Sequence, residues 1–123
     1  MFCALKFGRL EAINLATGRV SWIHRQRAPL VSSRLATAGG IVFAGARDRF
    51  FAYDAATGKL LWQTQLNAVP NSSPVTYSIQ GEQYVAVVAA SGGPVDSGAS
   101  SLTPEIINPS GGTTLWVFKL PSR

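Results

Sequence analysis

The chain has 123 residues, the length of one small domain, and its hydrophobic content of 46% with only 14% charged residues excludes an intrinsically disordered protein. The formal net charge is +5, but the basic residues form no run and no recognition-helix pattern, so no nucleic-acid binding is expected. The one cysteine, Cys3, excludes an internal disulfide and a multi-cysteine metal site.

Short apolar runs separated by glycines and prolines predict an all-β fold, because this pattern is typical of strands joined by turns. In chain order, strands are predicted at residues 9–14, 20–25, 35–38, 41–45, 50–54, 60–66, 74–78, 83–89 and 114–120. The longest apolar run, Tyr84 to Ala90, suits one buried strand, and no membrane span is expected. No export signal precedes the first strand, so either the protein is cytoplasmic or its true start is missing.

The strongest pattern is a repeat with a period of forty residues. The segment from Ala12 to Trp22 recurs from Ala52 to Trp62, and five of the eleven positions are identical. Asn14 and Asp54 are suited to opening a turn, because their side chains can bond to backbone amides ahead, and a glycine four residues later supplies a positive φ. Each unit is therefore predicted to be a hairpin of two antiparallel strands, and the period is typical of β-propeller blades.

A tryptophan ends each unit, four residues beyond the glycine, on the outer strand of the hairpin. Its flat side chain is expected to dock against a neighbouring blade, and the small alanine that begins each unit leaves room for the ring. The predicted docking set consists of Ala12, Gly18, Trp22, Ala52, Asp54, Gly58 and Trp62. The single histidine, His24, has no catalytic partner at a diagnostic spacing, so a structural role is expected for it.

The predicted strands group into about two blades of a Trp-motif β-propeller. Residues 9–27 would supply the last two strands of one four-stranded antiparallel blade, and residues 35–67 a complete blade. Residues 73–120 would supply three strands of a final blade, with a long loop at 90–112. Many propellers complete the last blade with a strand from the amino terminus, and none precedes residue 9. Because a ring needs ~4 to 8 blades, most of a longer parent protein is expected upstream.

Four segments of the chain resemble, in order and spacing, the carboxy-terminal part of the pyrroloquinoline-quinone (PQQ)-dependent alcohol and glucose dehydrogenases, a family of quinoproteins. The segments are residues 35–45, 52–62, 73–77 and 83–87. The resemblance implies a periplasmic, eight-bladed parent that oxidises the CH–OH group of an alcohol or aldose sugar. It also implies that the electrons pass to PQQ, which is held over the central axis beside a calcium ion.

The resemblance also implies where the cofactors contact the parent. In the family the catalytic Asp and the calcium-binding carboxylates come from earlier blades, so this chain is expected to hold no catalytic residue, no metal ligand and no cofactor alone. Asp48 and Asp54 belong to turn and blade motifs instead. The family's glycine-rich loop near the quinone is matched by Gly92, Gly93 and Pro94, where backbone amides could approach the quinone's carboxylates. A plain turn explains these residues equally well.

A second segment near the quinone departs from the family. Relatives often have Trp or Asn followed by two glycines before the strand at Leu35, where this chain has Val31-Ser32-Ser33-Arg34. The long loop at 90–112 is expected to serve the parent as a lid or a partner contact.

The expected partners are the upstream blades and an electron acceptor, either a cytochrome c or a quinone. No Cys-x-x-Cys-His haem attachment and no phosphate-binding loop occur in the sequence. Two alternatives remain open. One is a non-enzymatic propeller scaffold for protein partners, which the same repeat also resembles, and the other is a gene remnant.

Overall fold

The computed structural model describes residues 5–121, and Cys3 lies outside the described residues. This part of the chain forms ten strands and one helix: β1 Gly8–Ile13, β2 Val20–Gln26, β3 Leu35–Ala36, β4 Ile41–Ala46, β5 Arg49–Asp54, β6 Leu60–Gln65, β7 Val69–Pro70, β8 Val75–Ile79, β9 Glu82–Ala90, α1 Pro94–Leu102 and β10 Thr114–Lys119. The predicted all-β class is confirmed. No helix in the described range is long and apolar enough to cross a membrane.

The strands form three antiparallel sheets in chain order. The first sheet contains β1 and β2, and the second has the order β3-β4-β5-β6. In the third sheet, β9 pairs with β10 on one side and with both β7 and β8 on the other. The strands β7 and β8 share this edge because β7 pairs with residues 89 and 90, while β8 pairs with residues 82–86.

The core lies between the sheets, which pack face to face. Side chains alternate between the two faces of a strand, so the second sheet can contact both neighbours. Tyr53 and Ala44 join Leu10 of the first sheet in one buried cluster. Phe43, Phe50 and Ala52, on the opposite face, pack against buried side chains of the third sheet, namely Val85, Val87 and Ala89.

Two elements differ from the expectation for the sequence. The loop expected at 90–112 contains helix α1. Pro94 is the first residue of this helix, a position that favours proline. The helix ends at Leu102, and the amide of the next residue, Thr103, donates to the Ala99 carbonyl oxygen at 3.1 Å. The side chain of Ala99 is buried, which gives this Gly- and Ser-rich helix a packed side. The short strand β7 was not predicted, because two residues are too few to show a period.

Candidate functional site

The predicted cofactor residues lie at one end of the three sheets, which we call the loop end. It is the end at which β2, β4, β6 and β9 finish. The connection from residue 91 to residue 113, which we call the strap, begins there. The strap joins β9 to β10. In the second sheet the equivalent strands, β4 and β5, are joined by only Arg47 and Asp48. The strap is therefore a large addition to one blade at this end.

Gly92, Gly93 and Pro94 form the start of the strap and lead directly into α1. Gly92 has a φ of 81°, and Gly93 is the N-cap of the helix. A Cβ atom added to Gly92 would meet no atom within 4 Å, and one added to Gly93 would meet only the Asn71 side chain, at 4.0 Å. Both glycines thus border open space, although the Gly92 amide already donates to Asp96 Oδ2 at 3.1 Å.

Asp96 and Asn108 complete this corner, and the sequence reasoning did not identify either residue. Asn108 Nδ2 donates to Asp96 Oδ1 at 3.1 Å, while Asn108 Oδ1 is buried without a hydrogen-bond partner among the described residues. The signal that could have found Asp96 is its position two residues after Pro94, because acidic residues favour the first turn of a helix. No local signal marks Asn108.

The other titratable groups considered from the sequence lie elsewhere. Asp48 accepts a hydrogen bond from the Gln65 side chain, and Asp54 closes a hairpin turn. The backbone amides of Thr57 and Ala56 hold the pKa of Asp54 below its usual value. His24 contacts the Gly58 carbonyl oxygen and lies 4.6 Å from the Tyr53 ring. Among residues 5–121, no three His, Cys, Asp or Glu side chains cluster as metal ligands.

The segment that departs from the family pattern, Val31-Ser32-Ser33-Arg34, is bonded to strand β4. Ser32 is buried, and its Oγ accepts a hydrogen bond from the Gly45 amide at 2.7 Å. Forty residues later, Ser72 Oγ accepts from the Val88 amide at 2.9 Å. The repeat therefore extends beyond the hairpins, and the shared Ser-Ser pairs at 32–33 and 72–73 could have shown this from the sequence.

The two repeat tryptophans have different surroundings. The Trp22 ring lies against the next hairpin: its Nε1 donates to the Ala55 carbonyl oxygen at 2.8 Å, and a Cβ added to Gly58 would lie 2.6 Å from the ring. Trp22 stands directly opposite Ala12 on the neighbouring strand, as Trp62 stands opposite Ala52. Because alanine is small, neither tryptophan ring is covered by the side chain opposite it on the neighbouring strand.

Trp62 borders an open groove instead. The residue is 38% exposed, and the centroid of its ring lies 5.1 Å from that of the Phe118 ring in the third sheet. The groove has a volume of about 630 Å³, and its apolar lining includes Ile41, Ala52, Leu61, Trp62, Val117 and Phe118. A cavity of about 520 Å³ also lies beside Trp22, but there the turn that contains Gly58 lies against the ring.

Comparison with known proteins gives consistent matches. Residues 2–85 match the PQQ family model, described as the β-propeller domain of glucose, ethanol and alcohol dehydrogenases. The chain is 41% identical to the quinoprotein alcohol dehydrogenase PedE of Pseudomonas putida over 94% of its own length and 18% of that relative. It is 38% identical to methanol dehydrogenase [cytochrome c] subunit 1 of Methylobacterium organophilum, over 70% of its length and 14% of that relative.

A solved structure shows the same architecture. The chain superposes on a europium-containing methanol dehydrogenase with a TM-score of 0.75 and 28% identity, covering 91% of this chain and 23% of that one. The three sheets are thus similar to part of a larger propeller. The chain spans less than a fifth of the length of the two relatives named above.

Proposed function

Because the chain belongs to the PQQ β-propeller family of glucose, ethanol and alcohol dehydrogenases, we propose that it forms the carboxy-terminal blades of a PQQ-dependent dehydrogenase. The substrate class is an alcohol or an aldose sugar, and the named relatives favour an alcohol. The observation that carries the proposal is the repeated hairpin, with Trp22 lying on the Gly58 turn of the next sheet. Such head-to-tail contacts build a ring when enough units follow one another.

We divide the chain into blades as the sequence predicts. Residues 9–27 are the end of one blade, 35–67 a whole blade, and 73–120 a final blade that lacks its outer strand. The structure adds Leu30 to the edge of the second sheet and β7 to the third, so these two blades begin a few residues earlier than the sequence predicts. The groove at Trp62 supports this division, because the corresponding ring, Trp22, is contacted by the hairpin turn between the third and fourth strands of the next sheet, and no described turn makes that contact with Trp62. We assign the groove to a strand and turn contributed by the upstream part of the parent protein, placed alongside β10.

The outer face of the third sheet supports the same placement. Val75, Tyr77 and Ile79 alternate along β8 on the outer face of the third sheet, and all three are exposed. Leu115 and Val117 of β10 are exposed as well. A row of exposed apolar side chains on a sheet face needs a cover, and a further blade supplies one.

The PQQ contact that this chain offers is the open space beside Gly92 and Gly93. The described residues fit a flat cofactor edge there, since a side chain at either position would take up that space. The Gly92 amide is held by Asp96, so the contribution of Gly92 is room and not a hydrogen bond. When bound, PQQ accepts two electrons from the substrate carbon. Its calcium ion and the catalytic base are assigned to earlier blades of the parent.

The proposed setting of the parent is the periplasm, with electrons passing to a cytochrome c or a quinone. The relative named as a cytochrome c methanol dehydrogenase supports the first acceptor. Within this setting the present chain packs and shapes one side of the cofactor space, and it does not oxidise a substrate alone.

The test begins with the DNA upstream of the Met1 codon. We expect an open frame with further forty-residue repeats, a calcium-binding carboxylate set and an export signal. The product of that frame should oxidise a primary alcohol only after addition of PQQ and calcium, whereas residues 1–123 alone should not. An in-frame stop, or a full-length product inactive with both cofactors, would overturn the enzyme proposal and favour the scaffold alternative.

A further inference from the structure

The strap is fastened to the sheets at two positions that are equivalent in the repeat. Arg27 follows the outer strand of the first sheet, and Asn67 follows the outer strand of the second, forty residues later. Each is followed by a buried alanine, Ala28 or Ala68. The alignment agrees with the matching hydrogen bonds of Ser32 and Ser72.

Arg27 makes the first attachment. Its Nε donates to Glu105 Oε1 at 2.6 Å, and its Nη2 donates to the Leu102 carbonyl oxygen at 3.4 Å. Leu102 is the last residue of α1, so the guanidinium reaches the carboxyl end of the helix. The same group donates to the Leu5 carbonyl oxygen at 2.7 Å and lies over the Phe7 ring at 5.1 Å. Four contacts fix this side chain, which is only about one-third exposed.

Asn67 makes the second attachment, near the end of the strap. Its side-chain Nδ2 donates to the Gly111 carbonyl oxygen at 3.0 Å, and the backbone carbonyl oxygen of Asn67 accepts from the Gly111 amide at 2.9 Å. A Cβ at Gly111 would overlap that carbonyl oxygen, so the close approach requires glycine. The indole of Trp116 donates to Asn67 Oδ1 at 2.9 Å, which orients the amide.

The first attachment leads through α1 to the glycine turn. Arg27 holds Glu105 and Leu102, and α1 runs back from Leu102 to Pro94. Asp96, in the first turn of α1, accepts a hydrogen bond from the Gly92 amide, and it accepts a second one from the Asn108 side chain in the later part of the strap. We propose that Arg27 is a positioning residue, which fixes the strap and thereby the Gly92–Gly93 turn. The expected effect of Arg27 on PQQ affinity rests on the proposed function, whereas its expected effect on the order of the strap does not.

The experiment uses the full-length protein with Arg27→Ala, Arg27→Lys and Glu105→Gln. Arg19→Ala is the matched control, since Arg19 lies in the β1–β2 turn and its side chain makes no hydrogen bond or ion pair with a described residue. Hydrogen exchange of the peptide covering 94–108 should be about three- to tenfold faster in Arg27→Ala, with 41–54 unchanged. Arg27→Lys should restore part of the protection, because it keeps the charge but loses the fork geometry.

A PQQ titration of the metal-saturated apoprotein separates positioning from general stability. In Arg27→Ala the half-saturating PQQ concentration should rise about three- to tenfold, with turnover at saturating PQQ changed less than about twofold. Loss of folded protein would lower the amplitude without moving the midpoint. Unchanged exchange at 94–108 would overturn the attachment, and faster exchange with an unmoved midpoint would overturn the positioning role. If the unaltered protein takes up no PQQ, the proposed function is wrong, and the exchange result alone decides the attachment.

Discussion

Gly18 and Gly58 occupy the same place in the two hairpin turns but have different neighbours. Their φ angles are 70° and 74°, so both lie in the left-handed region that favours glycine. Nothing lies within 4 Å of a Cβ built on Gly18, whereas Trp22 lies 2.6 Å from one built on Gly58. The pair therefore separates the cost of backbone strain from the cost of disturbing a packed ring.

Gly18→Ala should cost about 1–2 kcal/mol of unfolding free energy, because only the left-handed backbone is strained. Gly58→Ala should cost about 1–3 kcal/mol more, because the new methyl group also displaces the Trp22 ring. Urea denaturation of the full-length protein measures both values. Equal costs for the two variants would show that Trp22 does not rest on this turn.

Asn14 and Asp54 are a second matched pair at the residue scale. Asn14 Oδ1 accepts hydrogen bonds from the amides of Ala16 and Thr17 at 2.9 and 3.2 Å. Asp54 Oδ1 accepts from the amides of Ala56 and Thr57 at 2.8 and 3.0 Å. The geometry is the same, but only the aspartate can take up a proton.

Asp54→Asn should flatten the acid sensitivity of the protein. The bonds from the Thr57 and Ala56 amides lower the pKa of Asp54 from its usual 3.8. Its stabilising contribution is therefore present above about pH 4 and is lost as the pH falls through the lowered pKa. Melting temperatures at pH 7 and pH 2.5 should converge in Asp54→Asn and diverge further in Asn14→Asp. Identical pH profiles for all three proteins would contradict this assignment.

At the element scale, two serines attach an irregular segment to a strand of the second and of the third sheet. Ser32 bonds to β4 and Ser72 to β9, beside the sheet edge formed by β3 in the second sheet and by β7 and β8 in the third. In the second sheet an isolated bridge from Leu30 to Ala46 continues the edge beyond β3. In the third sheet β7 does the same beyond β8. The serine hydroxyl thus replaces a backbone acceptor at the break in the edge.

Ser32→Ala should cost about 1–3 kcal/mol, because the buried Gly45 amide loses its acceptor. Ser33→Ala is the control, since Ser33 is exposed and its substitution should change stability by less than about 0.5 kcal/mol. Thermal or urea unfolding of the full-length protein distinguishes the two. Ser32→Ala and Ser33→Ala having the same stability would mean that the hydroxyl contributes nothing to the edge.

At the scale of the whole molecule, the stack has two outer faces and a groove that no described residue covers. The first sheet exposes Ile13, Val20 and Ile23, and the third exposes the apolar row along β8. β10 is also an edge strand with unpaired backbone groups on one side. A closed ring would cover all of these surfaces.

Residues 1–123 made alone should therefore associate or aggregate, because the outer faces and the β10 edge can pair with other copies. Size-exclusion chromatography with light scattering measures the mass directly. A cooperatively unfolding monomer would contradict this prediction.

The sequence by itself determined the repeated hairpins and most strand positions. Alternating apolar residues, an Asx residue and a glycine at fixed spacing act over a few residues, so they can be read without knowing the fold. The family resemblance also pointed to Gly92, Gly93 and Pro94, whose cofactor role stays a prediction.

Only the tertiary structure decided the surroundings of these elements. Arg27 meets Glu105 across 78 positions, Asn67 meets Trp116 across 49, and Trp22 and Trp62 differ although their local sequences match. The residues of α1 have a weak intrinsic helix propensity, and an isolated helix of this length is marginal in water. Its buried Ala99 side chain and its hydrogen bond from Arg27 are tertiary contacts. Contacts between residues far apart in the chain leave no local period, so sequence reasoning could not place them.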